Sequence, residues 1–140
     1  MTESPEHRRL IVAGTGIAGL SAAIYAARSN NDPLVLEGVE PGGQLTLTTD
    51  VANYPGFPEG IAGPDLVNNM KEQATQFGAD VDHGVVVDVD DSTRPFAVEL
   101  RDGTRYTCDA FIAASGASAR TLGVPGEEEL MGYGLSTCAT

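Results

Sequence analysis

The chain has 140 residues, with 8 Lys+Arg against 20 Asp+Glu and a formal net charge of −12. That length fits one domain, or a small domain with part of another, and that charge argues against nucleic acid as a partner, because phosphate binding needs clustered cations. Apolar residues make up 41%, enough for a core, and no apolar run approaches the roughly 20 residues of a membrane span.

The first predicted element is Leu10, Ile11, Val12 and Ala13, a continuous apolar strand of the kind buried on both faces in a parallel sheet. The paired Arg8 and Arg9 before an apolar stretch imitate an export signal. The glycines that interrupt the stretch have a better explanation. Gly14-Thr15-Gly16-Ile17-Ala18-Gly19 follows the strand at once, and residues 20–29 read as a helix rich in alanine, ended by Asn30, Asn31, Asp32 and Pro33. Leu34, Val35 and Leu36 form a second apolar strand with Glu37 at its end, 18 residues past Gly19.

Strand, G-x-G-x-x-G, helix, strand and acid in that register form a dinucleotide-binding pattern. Gly14 permits the tight turn, Gly16 lets backbone approach a pyrophosphate, and Gly19 lets helix pack on strand. The helix N-terminus offers free N–H groups to the phosphates. Glu37 can accept hydrogen bonds from both ribose hydroxyls, which favours FAD or NAD over NADP. A βα turn without a ligand is the competing reading. Pro41-Gly42-Gly43-Gln44-Leu45, then Thr46, Thr48 and Thr49, then Asn53-Tyr54-Pro55-Gly56-Phe57-Pro58 read either as a cradle for a polar ligand or as an ordinary loop.

Residues 65–77 read as an amphipathic helix, with Leu66, Met70, Ala74 and Phe77 spaced by four, four and three. Residues 85–89, 96–100 and 104–107 read as short strands, with Asp102-Gly103 a hairpin signal. Residues 109–115 read as an apolar strand returning to the parallel sheet. Cys108 in that apolar setting reads as a small buried residue. Cys138 follows a polar, glycine-rich lead-in and by itself reads as incidental. Two cysteines are too few for a disulfide scaffold and fit a reducing, cytoplasmic setting.

These segments together resemble thioredoxin reductase of the low-molecular-weight bacterial and archaeal type. The resemblance rests on Gly14 to Leu20, Pro41 to Leu45 and Asn53 to Pro58. It continues through Arg94-Pro95-Phe96, Tyr106 to Ala110 and Ser115 to Arg120, and ends at Ser136-Thr137-Cys138-Ala139-Thr140. It implies an α/β, Rossmann-like FAD-binding domain, a parallel sheet with helices and a three-stranded β-meander, incomplete at the C-terminus. Residues 1–116 would be the N-terminal part of that domain. Residues 117–140 would be a linker and the start of an NADPH-binding domain.

The resemblance also implies roles. Gly14, Gly16, Ile17, Ala18 and Gly19 would lie at the FAD pyrophosphate and Glu37 at the adenosine ribose. Gly43, Gln44 and Leu45 would lie along the cofactor, Thr48 and Asn53 near the ribityl chain and flavin ring, and backbone groups of Val86 at the adenine. Ser115 and Gly116 would close the site. Two departures stand out: Ile17 replaces the family's proline, and Ser115 replaces its threonine. Cys138 would be the first cysteine of the family's redox-active Cys-Ala-Thr-Cys motif, with its partner immediately after Thr140. Electrons would pass from NADPH through FAD to that disulfide and on to thioredoxin or a similar dithiol protein; an FAD-binding module, or a ferredoxin–NADP reductase-like relative, without disulfide chemistry is the alternative. The parent would be a homodimer needing no metal. With one motif cysteine and no second glycine fingerprint for NADPH, the 140-residue chain is expected not to turn over alone.

One lysine, Lys71, stands against seven arginines, and the acids are spread along the chain. Such a surface suits a protein working in strong salt, where screening relieves self-repulsion, as in a haloarchaeal cytoplasm. A chance acidic domain is the competing reading.

Overall fold

The computed structural model describes residues 4–137. In chain order they form strand β1 (Glu6–Ala13), helix α1 (Ile17–Arg28), strand β2 (Leu34–Leu36), a 3₁₀ turn (Gly43–Leu47) and helix α2 (Gly63–Gln76). Strands β3 (Asp80–Asp82), β4 (Val86–Asp90), β5 (Phe96–Leu100) and β6 (Arg105–Ala113) and the short helix α3 (Glu127–Leu130) follow. The six strands make one sheet in the order β3-β2-β1-β6-β5-β4. β3, β2, β1 and β6 run parallel, while β4, β5 and the start of β6 form an antiparallel meander. This is the expected α/β architecture.

Two cores sit on opposite faces of the parallel strands. Strand residues alternate between faces, so Leu10 and Val12 of β1 join Val35 of β2 beneath α1 and α2. Leu20, Ala23, Ile24 and Ala27 of α1 and Leu66, Met70 and Ala74 of α2 complete that core. Ile11, Leu34 and Leu36 turn the other way and pack on Val98, Leu100 and Cys108 of the meander. Cys108 is fully buried, as its surroundings predict. Among the described residues no helix is long and apolar enough to cross a membrane.

Four local readings need correction. Residues 104–107 and 109–115 were expected as separate strands, but β6 runs unbroken through Cys108 and Asp109. Its first half pairs with β5 on one side while Tyr106 to Ala113 follow β1 on the other. β3 went unrecognised because two of its three residues are aspartates, poor strand formers. It forms because β2 offers it an edge, and its charges protect that edge from further pairing. Phe77 lies beyond the end of α2 and is 45% exposed, with the Arg28 guanidinium 5.5 Å from its ring centre. Val67 takes its place on the buried face. The loop expected after Pro41 contains the 3₁₀ turn.

Candidate functional site

β2, β1 and β6 end side by side, and Glu37, Gly14 and Ala114 follow them directly. From β1 the chain crosses through α1 to β2 on one flank, whereas β6 lies on the other. A crevice therefore opens at the carboxyl ends of β1 and β6, where the strand order reverses, the usual ligand position in such sheets.

The three fingerprint glycines do different things there. Gly14 has φ of 113°, and its N–H donates to the Leu36 carbonyl at 2.8 Å. A Cβ at Gly14 would strike the Ala114 carbonyl, and one at Gly19 would strike the Gly14 carbonyl. Both positions are dictated by the protein's own packing. Gly16 is the N-cap of α1, has no capping side chain, and would carry a Cβ with nothing within 4 Å. The first N–H groups of α1, at Ile17 and the exposed Ala18, lack intrahelical carbonyls and face this open space. Ile17 itself packs against the core.

The second glycine loop forms the facing wall. A Cβ at Gly43 would stand 3.4 Å from Gly16 Cα, so the two backbones oppose each other closely. Thr15, which the sequence reading passed over, holds them together: its buried Oγ1 accepts a hydrogen bond from Gly42 N–H at 2.9 Å. A hydroxyl between two glycines was the available signal.

Gln44 donates from Nε2 to the Ala117 carbonyl at 2.6 Å, tying the loop to the segment after β6. Leu45 packs into the core, and Thr48 receives Gly63 N–H on its carbonyl at 3.0 Å. Ser115 and Gly116 are exposed immediately after Ala114, beside Gly14. Val86 opens β4 near Glu37, because the Gly38 N–H donates to the Gly84 carbonyl at 3.0 Å. Asn53 is carried by a separate exposed loop, closed by pairing of Val51 with Ile61. Cys138 lies outside the described residues.

Glu37 is buried, and both its oxygens are engaged. Lys71 Nζ lies 2.6 Å from Oε1, and His83 Nδ1 lies 2.6 Å from Oε2. Neither partner was anticipated, because they come from α2 and from the loop between β3 and β4. Cys108 has no part in this group. Burial, reinforced by the charge of Asp109, pushes its thiol above the ordinary range and leaves it a poor nucleophile.

The residues present fit a dinucleotide. Two opposed glycine backbones leave a cradle that any Cβ at Gly16 would enter, an uncapped helix end faces it, and a carboxylate follows the neighbouring strand.

Comparison with known proteins agrees. The chain is 49% identical over 132 residues to thioredoxin reductase of Rickettsia bellii, covering 94% of this chain and 43% of that protein. It is 48% identical over 134 residues to glucosaminate ammonia-lyase of Pseudomonas fluorescens, covering 96% of this chain and 42% of that protein. The solved thioredoxin reductase from Giardia duodenalis superposes with a TM-score of 0.79 at 39% identity, over 89% of this chain and 40% of that one. The chain thus spans less than half the length of these relatives, and its fold matches the FAD-binding domain of thioredoxin reductases, which use FAD and NADPH. The family described as pyridine nucleotide-disulphide oxidoreductase matches residues 8–140, and the chain belongs to it.

Proposed function

We propose that this chain is the FAD-binding portion of a thioredoxin reductase-like flavoenzyme that passes electrons from NADPH to a redox-active disulfide and on to thioredoxin. The observation that carries the reading is the pair of opposed backbones at Gly16 and Gly43, set over an uncapped helix end. When bound, FAD supplies the two-electron chemistry that links a nicotinamide to a disulfide. The chain's own residues bind and orient it. Gly16, Ile17 and Ala18 present backbone to the pyrophosphate, opposite Gly43. Glu37 accepts the ribose hydroxyls, and Val86 lies on the adenine side. Gln44, Leu45, Thr48 and Asn53 run toward the flavin, and Ser115 and Gly116 close the crevice beside Gly14.

Residues 1–116 belong to the FAD domain in this reading, and residues 117–140 begin the passage to an NADPH domain. The Gln44 bond to Ala117 sits at that boundary. Cys138 is the redox-active thiol. Its thiolate would attack the disulfide of thioredoxin, with a second thiol resolving the mixed disulfide. The working protein is a cytoplasmic homodimer.

Titration of the 140-residue chain with FAD, followed by flavin fluorescence and by the visible spectrum, tests the reading. Saturable binding at one site per chain is expected, and a colourless protein indifferent to added FAD removes it. A second reading, a flavin-binding module without disulfide chemistry, draws on the Pseudomonas relative, whose name is that of a lyase. Cys138→Ser separates the two. In the parent enzyme the substitution abolishes a thioredoxin reduction that the unsubstituted protein performs under the first reading; under the second, neither form reduces thioredoxin and flavin binding is unchanged.

A further inference from the structure

The acid at the end of β2 is covered. Its side chain is 5% exposed, and each oxygen already has a nitrogen 2.6 Å away. A ribose cis-diol cannot reach a carboxylate so buried unless one covering group moves.

The two covering groups differ in what holds them. Lys71 rises from α2, whose Leu66, Val67, Met70 and Ala74 are buried in the core, and its side chain is 42% exposed. His83 sits in the loop between β3 and β4 with a side chain 85% exposed. The backbone around His83 is pinned: Glu37 N–H donates to the Asp82 carbonyl, Gly38 N–H donates to the Gly84 carbonyl, both at 3.0 Å, and His83 N–H donates to Asp82 Oδ1 at 2.7 Å. Only the imidazole is at liberty to swing. A contact made by so exposed a ring is worth little against water, whereas a cation rooted on a packed helix stays.

We infer that Lys71 is a positioning residue that holds the Glu37 carboxylate in place through Oε1, and that His83 is a displaceable stand-in that occupies Oε2 until a ribose takes its place. The inference rests on the proposed dinucleotide site and adds what sets its selectivity. Lys71 fixes Oε1, so that Oε2 is left aimed to accept from a diol once His83 has moved. His83 covers Oε2 and competes with the ligand for it.

The test is calorimetric titration of the 140-residue chain with ADP and with 2′-deoxy-ADP, beside the FAD titration. His83→Ala removes the competitor and tightens ADP binding about 2- to 5-fold. Lys71→Gln weakens ADP about 10-fold and brings the ADP and 2′-deoxy-ADP affinities within about twofold of each other, and Lys71→Arg restores the discrimination. ADP affinity unchanged or weaker in His83→Ala overturns the stand-in role. A wild-type ADP to 2′-deoxy-ADP ratio in Lys71→Gln overturns the positioning role. If wild-type chain binds neither FAD nor ADP, the proposed function fails and takes this inference with it. Normal binding with unmoved ratios sinks the inference alone.

Discussion

The crevice has two ends built by different means. At the β1–α1 turn, Gly14, Gly16 and Gly19 lie within six residues of chain, and what matters at each is the missing side chain. At the ribose end, Glu37, Lys71 and His83 come from the end of a strand, a helix and a loop, the first two 34 positions apart in the chain. What matters there is that side chains are present and correctly aimed. A site made of backbone is set by local geometry and tolerates almost no added atom. A site made of side chains is set by packing and can be retuned one residue at a time.

The turn itself divides further, and the largest expected effect tests that division. Gly19→Val drives a side chain into the Gly14 carbonyl and toward Ala114 Cβ, 3.4 Å from the Cβ position. We expect a loss of about 3 kcal/mol or more in urea unfolding. Gly16→Ala meets no protein atom, so its cost to folding stays below about 1 kcal/mol, the scale of an N-cap change. Its FAD affinity should nevertheless fall at least about 10-fold, because the added methyl enters the space the ligand needs. Equal destabilisation by the two substitutions would erase the distinction between a packing glycine and a ligand-facing one.

At the ribose end the contrast reverses. Glu37→Leu should change stability by less than about 1 kcal/mol, since the released Lys71 and His83 are open enough to be hydrated and an apolar replacement often matches a buried ion pair. Discrimination between ADP and 2′-deoxy-ADP should vanish. A loss of several kcal/mol would recast Glu37 as a structural residue.

Salt probes the whole surface. Raising KCl from about 0.1 M to about 1 M shortens the Debye length from roughly 10 Å to 3 Å. With a net charge of −12 the melting temperature should rise, and a flat response would return the acidity to chance.

The smallest effect concerns Cys108, in the core opposite the site. Its thiol is raised above the ordinary value of 9.0 by burial and by Asp109. A raised folded-state value contributes stability that is intact below the unfolded thiol's titration and declines as pH rises through the folded one. Unfolding free energy should therefore fall slightly above pH 9, and Cys108→Val should flatten that decline. In a Cys138→Ser background, Cys108 should resist a thiol reagent until urea is added.

Much of this molecule was legible in its residues, and the reason is periodicity and local sterics. The runs at Leu10 to Ala13 and Leu34 to Leu36 contain no polar interruption, and both proved to be central parallel strands. The stripe of Leu66, Met70 and Ala74 identified a buried helix face. β3 was illegible because Asp80 and Asp82 have no strand preference of their own. β6 was misread because Asp109 looks like a break, although it is an exposed residue within a strand that pairs with β1 on both sides of it, at Tyr106 to Cys108 and Ala110 to Ala113.

The sequence by itself determined the fingerprint turn, because a glycine's lack of a Cβ acts within a few residues and needs no distant partner. It likewise determined which strands are buried, because continuous apolar runs have nowhere else to go. Only the tertiary structure decided which residues meet Glu37. Lys71 reaches it because α2 packs beside α1, and His83 because β3 pairs with β2 and carries the next loop over its end. A lysine and a histidine carry no local mark of the carboxylate they will cover, since that contact is made by the sheet and helix that bring them to it.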